Sequence, residues 1–248
     1  MGKFRRTLVN RVLVPASAAA SRGKPVHFLH VAKTGGTAIK AALAPSQLLK
    51  QVKTPTHTLY LRDHEIHLAD IPEGQAVIFG VRDPARRFVS GFYSRLRGGR
   101  KGRNLDDPRE RAVFEQFRTP RDLARDLYSE DTTRREAAQN AINAILHTRV
   151  KLADWLGGPE ELERRRNDIL FVYQQEGLDQ DFAALARLLS LAKAQLPTDD
   201  VAAHRLKGDW DTSLDELARE NLRTWYASDY EIIAACKRLF TPDGRMRA

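Results

Sequence analysis

The sequence predicts an α/β fold in which a short parallel sheet is flanked by helices, and three stretches carry that prediction. Residues 26–43 read as strand, glycine loop and helix, residues 77–96 as strand, turn and helix, and residues 168–189 as strand, acidic loop and helix. The strand segments are apolar without clean alternation, as expected where both faces are covered, and strands that alternate with helices favour parallel pairing. The 248 residues suffice for one such domain, and 42% apolar with 29% charged residues is ordinary globular composition.

In the first stretch Val26, Phe28, Leu29 and Val31 form the strand and Ala32 to Gly36 the turn. Gly35 and Gly36 permit positive φ and close approach of backbone N–H groups to a ligand. Thr37 to Leu43 has helix-forming composition, so loop amides and a helix N-terminus together favour an anion. Lys33 precedes the glycine pair, whereas the Walker pattern places its lysine after the glycines and adds a hydroxyl for magnesium. In the second stretch Val77 to Val81 is the strand, Asp83 an N-cap and Pro84 the first helical residue. Phe88, Phe92 and Leu96 then recur at i, i+4 and i+8 as a core stripe.

Lys33-Thr34-Gly35-Gly36-Thr37 resembles the 5′-phosphosulfate loop of sulfotransferases that use 3′-phosphoadenosine 5′-phosphosulfate (PAPS). Arg82-Asp83-Pro84-Ala85-Arg86-Arg87-Phe88-Val89-Ser90 resembles their 3′-phosphate motif, Arg-Asp-Pro-x-x-Arg-x-x-Ser. The resemblance is to the family-2, carbohydrate-type branch. It implies a P-loop-like sulfotransferase fold, a short parallel sheet flanked by helices with a large helical insert. It also implies PAPS as sulfuryl donor, a hydroxyl acceptor of carbohydrate type, and no metal. By the same resemblance Lys33, Thr34, Gly35, Gly36, Thr37 and Ala38 hold the phosphosulfate, Arg82 and Ser90 hold the 3′-phosphate, and Lys33 stabilises the leaving phosphate. Arg205-Leu206-Lys207-Gly208 loosely resembles the loop with which cytosolic members cover the nucleotide, which adds Arg205 and Lys207 to the candidates.

Sulfuryl transfer to an alcohol needs a base for the hydroxyl proton, and histidine suits the task because it titrates near neutrality. Titratable groups crowd Asp63 to His67, between the two phosphate motifs. His64 best fits the position of the family's histidine, in a pattern resembling His-x-x-x-Leu-x-Asp-x-Pro, while His67, His57 and Glu65 remain alternatives. The rival enzyme class is an atypical nucleotide kinase or NTPase, which shares strand, loop and helix but needs a magnesium ligand set. The non-enzyme rival is a basic polyanion-binding module.

With 41 Lys and Arg against 32 Asp and Glu, a net charge of +9 points to a polyanionic partner. The run Arg95 to Asn104 holds five cations and three glycines with no apolar period, so a flexible loop across 98–107 is expected, as a solvated surface or as a rim for an acidic acceptor. It lacks interleaved aromatics, so a nucleic-acid partner is not expected, whereas peripheral contact with an anionic membrane stays open. Residues 1–24 read as a basic flexible arm ahead of a single domain over 25–248, because Arg11 interrupts an apolar run far shorter than the ~20 residues of a membrane span. Cys236 is the only cysteine, which precludes an internal disulfide, favours a reducing, cytoplasmic setting and suggests a small buried residue.

From Pro108 to Trp155 several helices are expected, with Val113, Phe114, Phe117, Leu123, Leu127, Ala138, Ile142, Ile145 and Leu146 as core. Pro120 starts one of them, Gly157-Gly158-Pro159 ends the series, and the insert is expected to wall the acceptor pocket. Asp168 to Tyr173 is a further strand, followed by a helix through Phe182, Leu185, Leu188 and Leu189. Ser213-Leu214-Asp215-Glu216 reads as a capping box before an amphipathic helix.

Overall fold

The computed structural model describes residues 13–19, 23–43, 50–98, 107–191, 194–198, 209–241 and 244–245. The N-terminal twelve residues, most of the 98–107 loop, and both Arg205 and Lys207 lie outside the described residues. The chain forms two compact units, one of residues 1–81, 152–204 and 232–248, the other of 82–151 and 205–231.

The first unit holds a five-stranded sheet flanked by helices. Its strands are β1 (Lys24–Phe28), β2 (Gln51–Lys53), β3 (His57–Leu61), β4 (Ala76–Val81) and β5 (Ile169–Gln174). Their spatial order is β2-β3-β1-β4-β5, with β2 antiparallel to β3 and the other pairings parallel. β1 is central: Phe28 pairs with Leu61 on one side and Ile78 on the other. The chain therefore leaves β1 for one side of the sheet and later returns to the opposite side. In open parallel sheets that reversal opens a crevice at the carboxyl ends of the strands.

Apolar side chains of β1, β3, β4 and β5 pack with Ile39 and Leu43 and with Phe182, Leu185 and Leu189 into one core. A single glycine sets the β4–β5 contact. A Cβ on Gly80 would stand 2.2 Å from the Tyr173 ring, so Tyr173 lies directly over the β4 backbone and stacks on Phe28, centroids 5.9 Å apart. The expected strand at 168–173 is thus β5, shifted by one residue at each end. The expected N-terminal arm includes a helix, Val14–Ala19, whose Val14 and Ala18 are buried in a cluster with Tyr60.

The second unit is helical, with helices at Pro84–Leu96, Pro108–Gln116, Pro120–Asp126, Thr132–Ala144, Leu146–Arg149 and Glu216–Trp225. Proline at the first turn and a carboxylate or hydroxyl cap start the Pro84, Pro108 and Pro120 helices: Asp83, Asp107 and Thr119 accept the amides of Arg86, Arg109 and Asp122. The stripe Phe88, Phe92 and Leu96 packs as the periodicity predicts, with Val113, Phe114, Phe117, Leu123, Leu127, Ala138, Ile142 and Ile145. Leu146 is 38% exposed instead, at the start of its helix, where its backbone amide donates to Glu110.

Two further expectations change. Gly157 and Gly158 take positive φ and separate two helices, Leu152–Leu156 and Pro159–Arg164, so helix continues beyond the expected stop. The cap of the Glu216–Trp225 helix is Asp215, which accepts the Ala218 amide at 2.9 Å, whereas the Ser213 hydroxyl pairs with Asp211. The Arg87 guanidinium is buried against Asp229 at 3.0 Å and also donates to the Val150 carbonyl. Breaking such a buried pair costs about 3–5 kcal/mol, so Arg87 fixes this unit's interior and is not exposed to a ligand. Among the described residues no helix is long and apolar enough to cross a membrane.

Candidate functional site

Strand β1 ends at Phe28, and residues 29–35 form the loop ahead of the Gly36–Leu43 helix. Lys33 takes φ +67° and Gly35 φ +89°. A left-handed lysine costs roughly 1–3 kcal/mol and persists only where surrounding structure enforces it, a pattern concentrated at functional sites. The enforcement comes from Thr34. It is fully buried, its hydroxyl donates to the Val31 carbonyl at 3.0 Å, and it lies 3.5 Å from the Tyr173 hydroxyl.

The six loop residues named from sequence divide accordingly. Thr34 shapes the loop from inside and does not offer its hydroxyl to solvent. Ala38 is buried and its amide bonds the Gly35 carbonyl at 3.0 Å, so it is not an anion donor. Lys33, Gly35 and Thr37 are half-exposed. The first helical turn leaves the Gly36 and Thr37 amides without intrahelical acceptors, where an anion is favoured. Two contacts require the glycines. A Cβ on Gly35 would lie 2.9 Å from Leu178, at a φ that side chains rarely adopt, and a Cβ on Gly36 would lie 2.6 Å from the His30 ring.

His64 stands in the segment after β3, on the carboxyl edge of the sheet with the loop. Its Nδ1 lies 2.8 Å from the His30 carbonyl. A carbonyl only accepts, so Nδ1 carries the proton and neutral His64 keeps a lone pair on Nε2. The His30 and His64 rings stack with centroids 3.9 Å apart, and Trp155 Nε1 donates to the His64 carbonyl at 3.0 Å. The residue is solvent-accessible yet closely surrounded. Desolvation, then the Lys40 charge, holds its pKa below the ordinary histidine value, with Lys33 adding to the effect while the His30 carbonyl and Asp63 oppose it. The expected titration near neutrality therefore moves to the acid side.

Lys40 is held in place. Lys40 donates to the Arg62 carbonyl and stands 3.8 Å from Asp63, whose carboxylate also takes Lys50 at 2.6 Å. Burial lowers the Lys40 pKa to about 8 against the opposing pull of Asp63. Arg62 is 2% exposed and burial lowers it to about 10. Chemically, the edge combines a strained loop carrying a lysine with the amides of a helix start and a neutral imidazole whose proton-accepting nitrogen is Nε2.

The alternative bases are placed differently. His57 opens β3 at the far end of that strand and pairs with the Thr56 hydroxyl at 2.7 Å. His67 is exposed, and its backbone amide caps the Leu68–Asp70 turn through Asp70 at 2.9 Å. Glu65 is exposed beside His64. Arg82 and Ser90 belong to the second unit. Arg82 directly precedes the Asp83 cap, Ser90 sits within the Pro84–Leu96 helix, and both are half-buried.

Sequence reasoning missed His30, Lys40, Asp63 and Trp155. His30 and Lys40 flank the glycine motif, but only the pairing of β1 with β3 shows that they face the 62–64 segment. Comparison with protein-family models, curated proteins and solved structures finds no match.

Proposed function

We propose that this protein is a PAPS-dependent sulfotransferase of the carbohydrate-type branch, with the P-loop-like sulfotransferase fold, transferring a sulfuryl group to a hydroxyl acceptor. The observation that carries the reading is His64. Its Nδ1–H is spent on the His30 carbonyl, which leaves Nε2 as proton acceptor on the same sheet edge as the Lys33 loop.

The loop fits a phosphosulfate: Lys33 is left-handed, Gly35 and Gly36 have no room for a side chain, and the helix start offers amides. Lys33 and the Gly36 and Thr37 amides would hold the 5′ end, and the motif resemblance assigns the 3′-phosphate to Arg82 and Ser90. Bound PAPS supplies a sulfuryl group whose bond to the 5′-phosphate oxygen breaks as the acceptor oxygen bonds to sulfur. His64 Nε2 takes the acceptor's hydroxyl proton, and the His30 carbonyl stabilises the resulting imidazolium through Nδ1–H. Lys33 and the amides offset the negative charge that develops in the loop, an electrostatic contribution in a preorganised site. Equilibrium binding tests the reading: PAPS and adenosine 3′,5′-bisphosphate are expected to bind without magnesium and more tightly than ATP. Preference for magnesium-ATP would favour a kinase, and binding of polyanions alone a basic module.

A further inference from the structure

We propose that His30 is a positioning residue that couples the 33–37 loop to the proton-accepting edge of His64. One residue grips that imidazole twice, through its carbonyl on Nδ1 at 2.8 Å and through its ring stacked at 3.9 Å. The same ring also lies against the loop, since a Cβ on Gly36 would stand 2.6 Å from His30 Cδ2 and 3.1 Å from Nε2. The His30 ring thus touches both the Gly36 turn and His64. A close-packed ring displaced by one neighbour presses on the other.

The charged groups facing His64 come from every packed element: Lys33 from the loop, Lys40 from the Gly36–Leu43 helix and Asp63 from its own segment, while Trp155 holds its backbone. All of these stay when the His30 side chain is changed, and so does the His30 carbonyl. The coupling rests on the reading of residues 33–37 as a phosphate loop.

The test is NMR titration of the His64 Hε1 signal, with and without adenosine 3′,5′-bisphosphate, in wild type, His30→Ala and His30→Phe. In wild type His64 is expected to titrate below ~6.5, the ordinary histidine value, and its signal to shift when the nucleotide binds. His30→Phe keeps a planar wedge and should preserve both properties. His30→Ala should move the titration toward ~6.5 and abolish the nucleotide-induced shift. Gly36→Ala, which pushes on the ring, should displace the His64 signal in the wild-type background and leave it unmoved in His30→Ala. That non-additivity marks direct contact. Should His30→Ala not fold, His30→Leu, which removes the planar ring but keeps bulk, takes its place in both comparisons. A His30→Ala protein that titrates and responds like wild type overturns the proposal, as does a His30→Phe protein as impaired as His30→Ala. If the nucleotide binds no variant, the phosphate-loop reading and the coupling fall together, while the ligand-free titration still decides whether His30 positions His64.

Discussion

Replacing His64 by alanine separates a base from a structural histidine. A positioned general base contributes roughly 10²–10⁴-fold to rate, which at about 1.36 kcal/mol per decade is about 2.7–5.4 kcal/mol of barrier. Folding should change far less. The lost groups are one hydrogen bond to a carbonyl and one stacked ring on a solvent-accessible residue, and such a hydrogen bond contributes a net of roughly 0.5–1.5 kcal/mol. Turnover measured with labelled PAPS should therefore fall 10²–10⁴-fold while PAPS affinity and melting temperature stay nearly constant. The pH profile adds an independent check. Burial and the Lys40 charge lower the His64 pKa, so the neutral base persists below the ordinary ~6.5. Wild-type turnover should be flat at pH 7 and fall only on further acidification, and this limb should vanish from the residual activity of His64→Ala. Near-normal turnover in the variant, or an unchanged acid limb, would refute the assignment and move the role to Glu65 or His67.

Three further outcomes follow from named residues. Lys33→Ala should lower turnover more than product affinity, because a cation at the loop matters most as charge develops there; a change confined to apparent PAPS affinity would make Lys33 a ground-state anchor. Arg82→Ala should weaken adenosine 3′,5′-bisphosphate about tenfold or more, the worth of a charged hydrogen bond at roughly 1.5–3 kcal/mol, and leave adenosine 5′-phosphate unaffected; equal losses would show that Arg82 does not read the 3′-phosphate. His27 is buried in β1 on Gln75 and Tyr60, and burial foremost lowers its pKa from 6.5 to about 4. Between those values the unfolded chain holds a proton that the folded chain does not, so stability falls on acidification from pH 6.5 to about 4, by about 3 kcal/mol at 1.36 kcal/mol per unit. Denaturant melts across that range should show the loss in wild type and its reduction in His27→Gln; an unchanged slope in the variant would assign it to other groups.

The strand-loop-helix units were legible because their signals are local: glycines where φ is positive or a Cβ is forbidden, proline and aspartate at helix starts, apolar residues at helical spacing. Strands β2 and β3 were not, since His57-Thr58-Leu59-Tyr60-Leu61 mixes polar and apolar types and becomes a buried strand only by pairing with β1. The N-terminal helix escaped for the same reason, as its anchor, Tyr60, lies far along the chain. Of the candidate residues, Lys33 could be named from its place ahead of the glycine pair and His64 from its place between the two motifs. The groups that surround His64 could not. Trp155 reaches His64 across 91 residues of sequence, and Lys40 looks like an ordinary helix-surface lysine until Asp63 and the Arg62 carbonyl are found beside it. The direction of the Thr34 hydroxyl was equally illegible: it turns inward onto Val31.

The central claim is sulfuryl transfer, and the most direct measurement is incubation with PAPS labelled in its sulfate and a panel of hydroxyl acceptors spanning sugars, lipids and peptides, without magnesium. Label should pass to an acceptor of carbohydrate type, with adenosine 3′,5′-bisphosphate released in equal amount and the signal lost in His64→Ala. Label that stays on the nucleotide across the whole panel, together with binding of ATP in preference to PAPS, would contradict it.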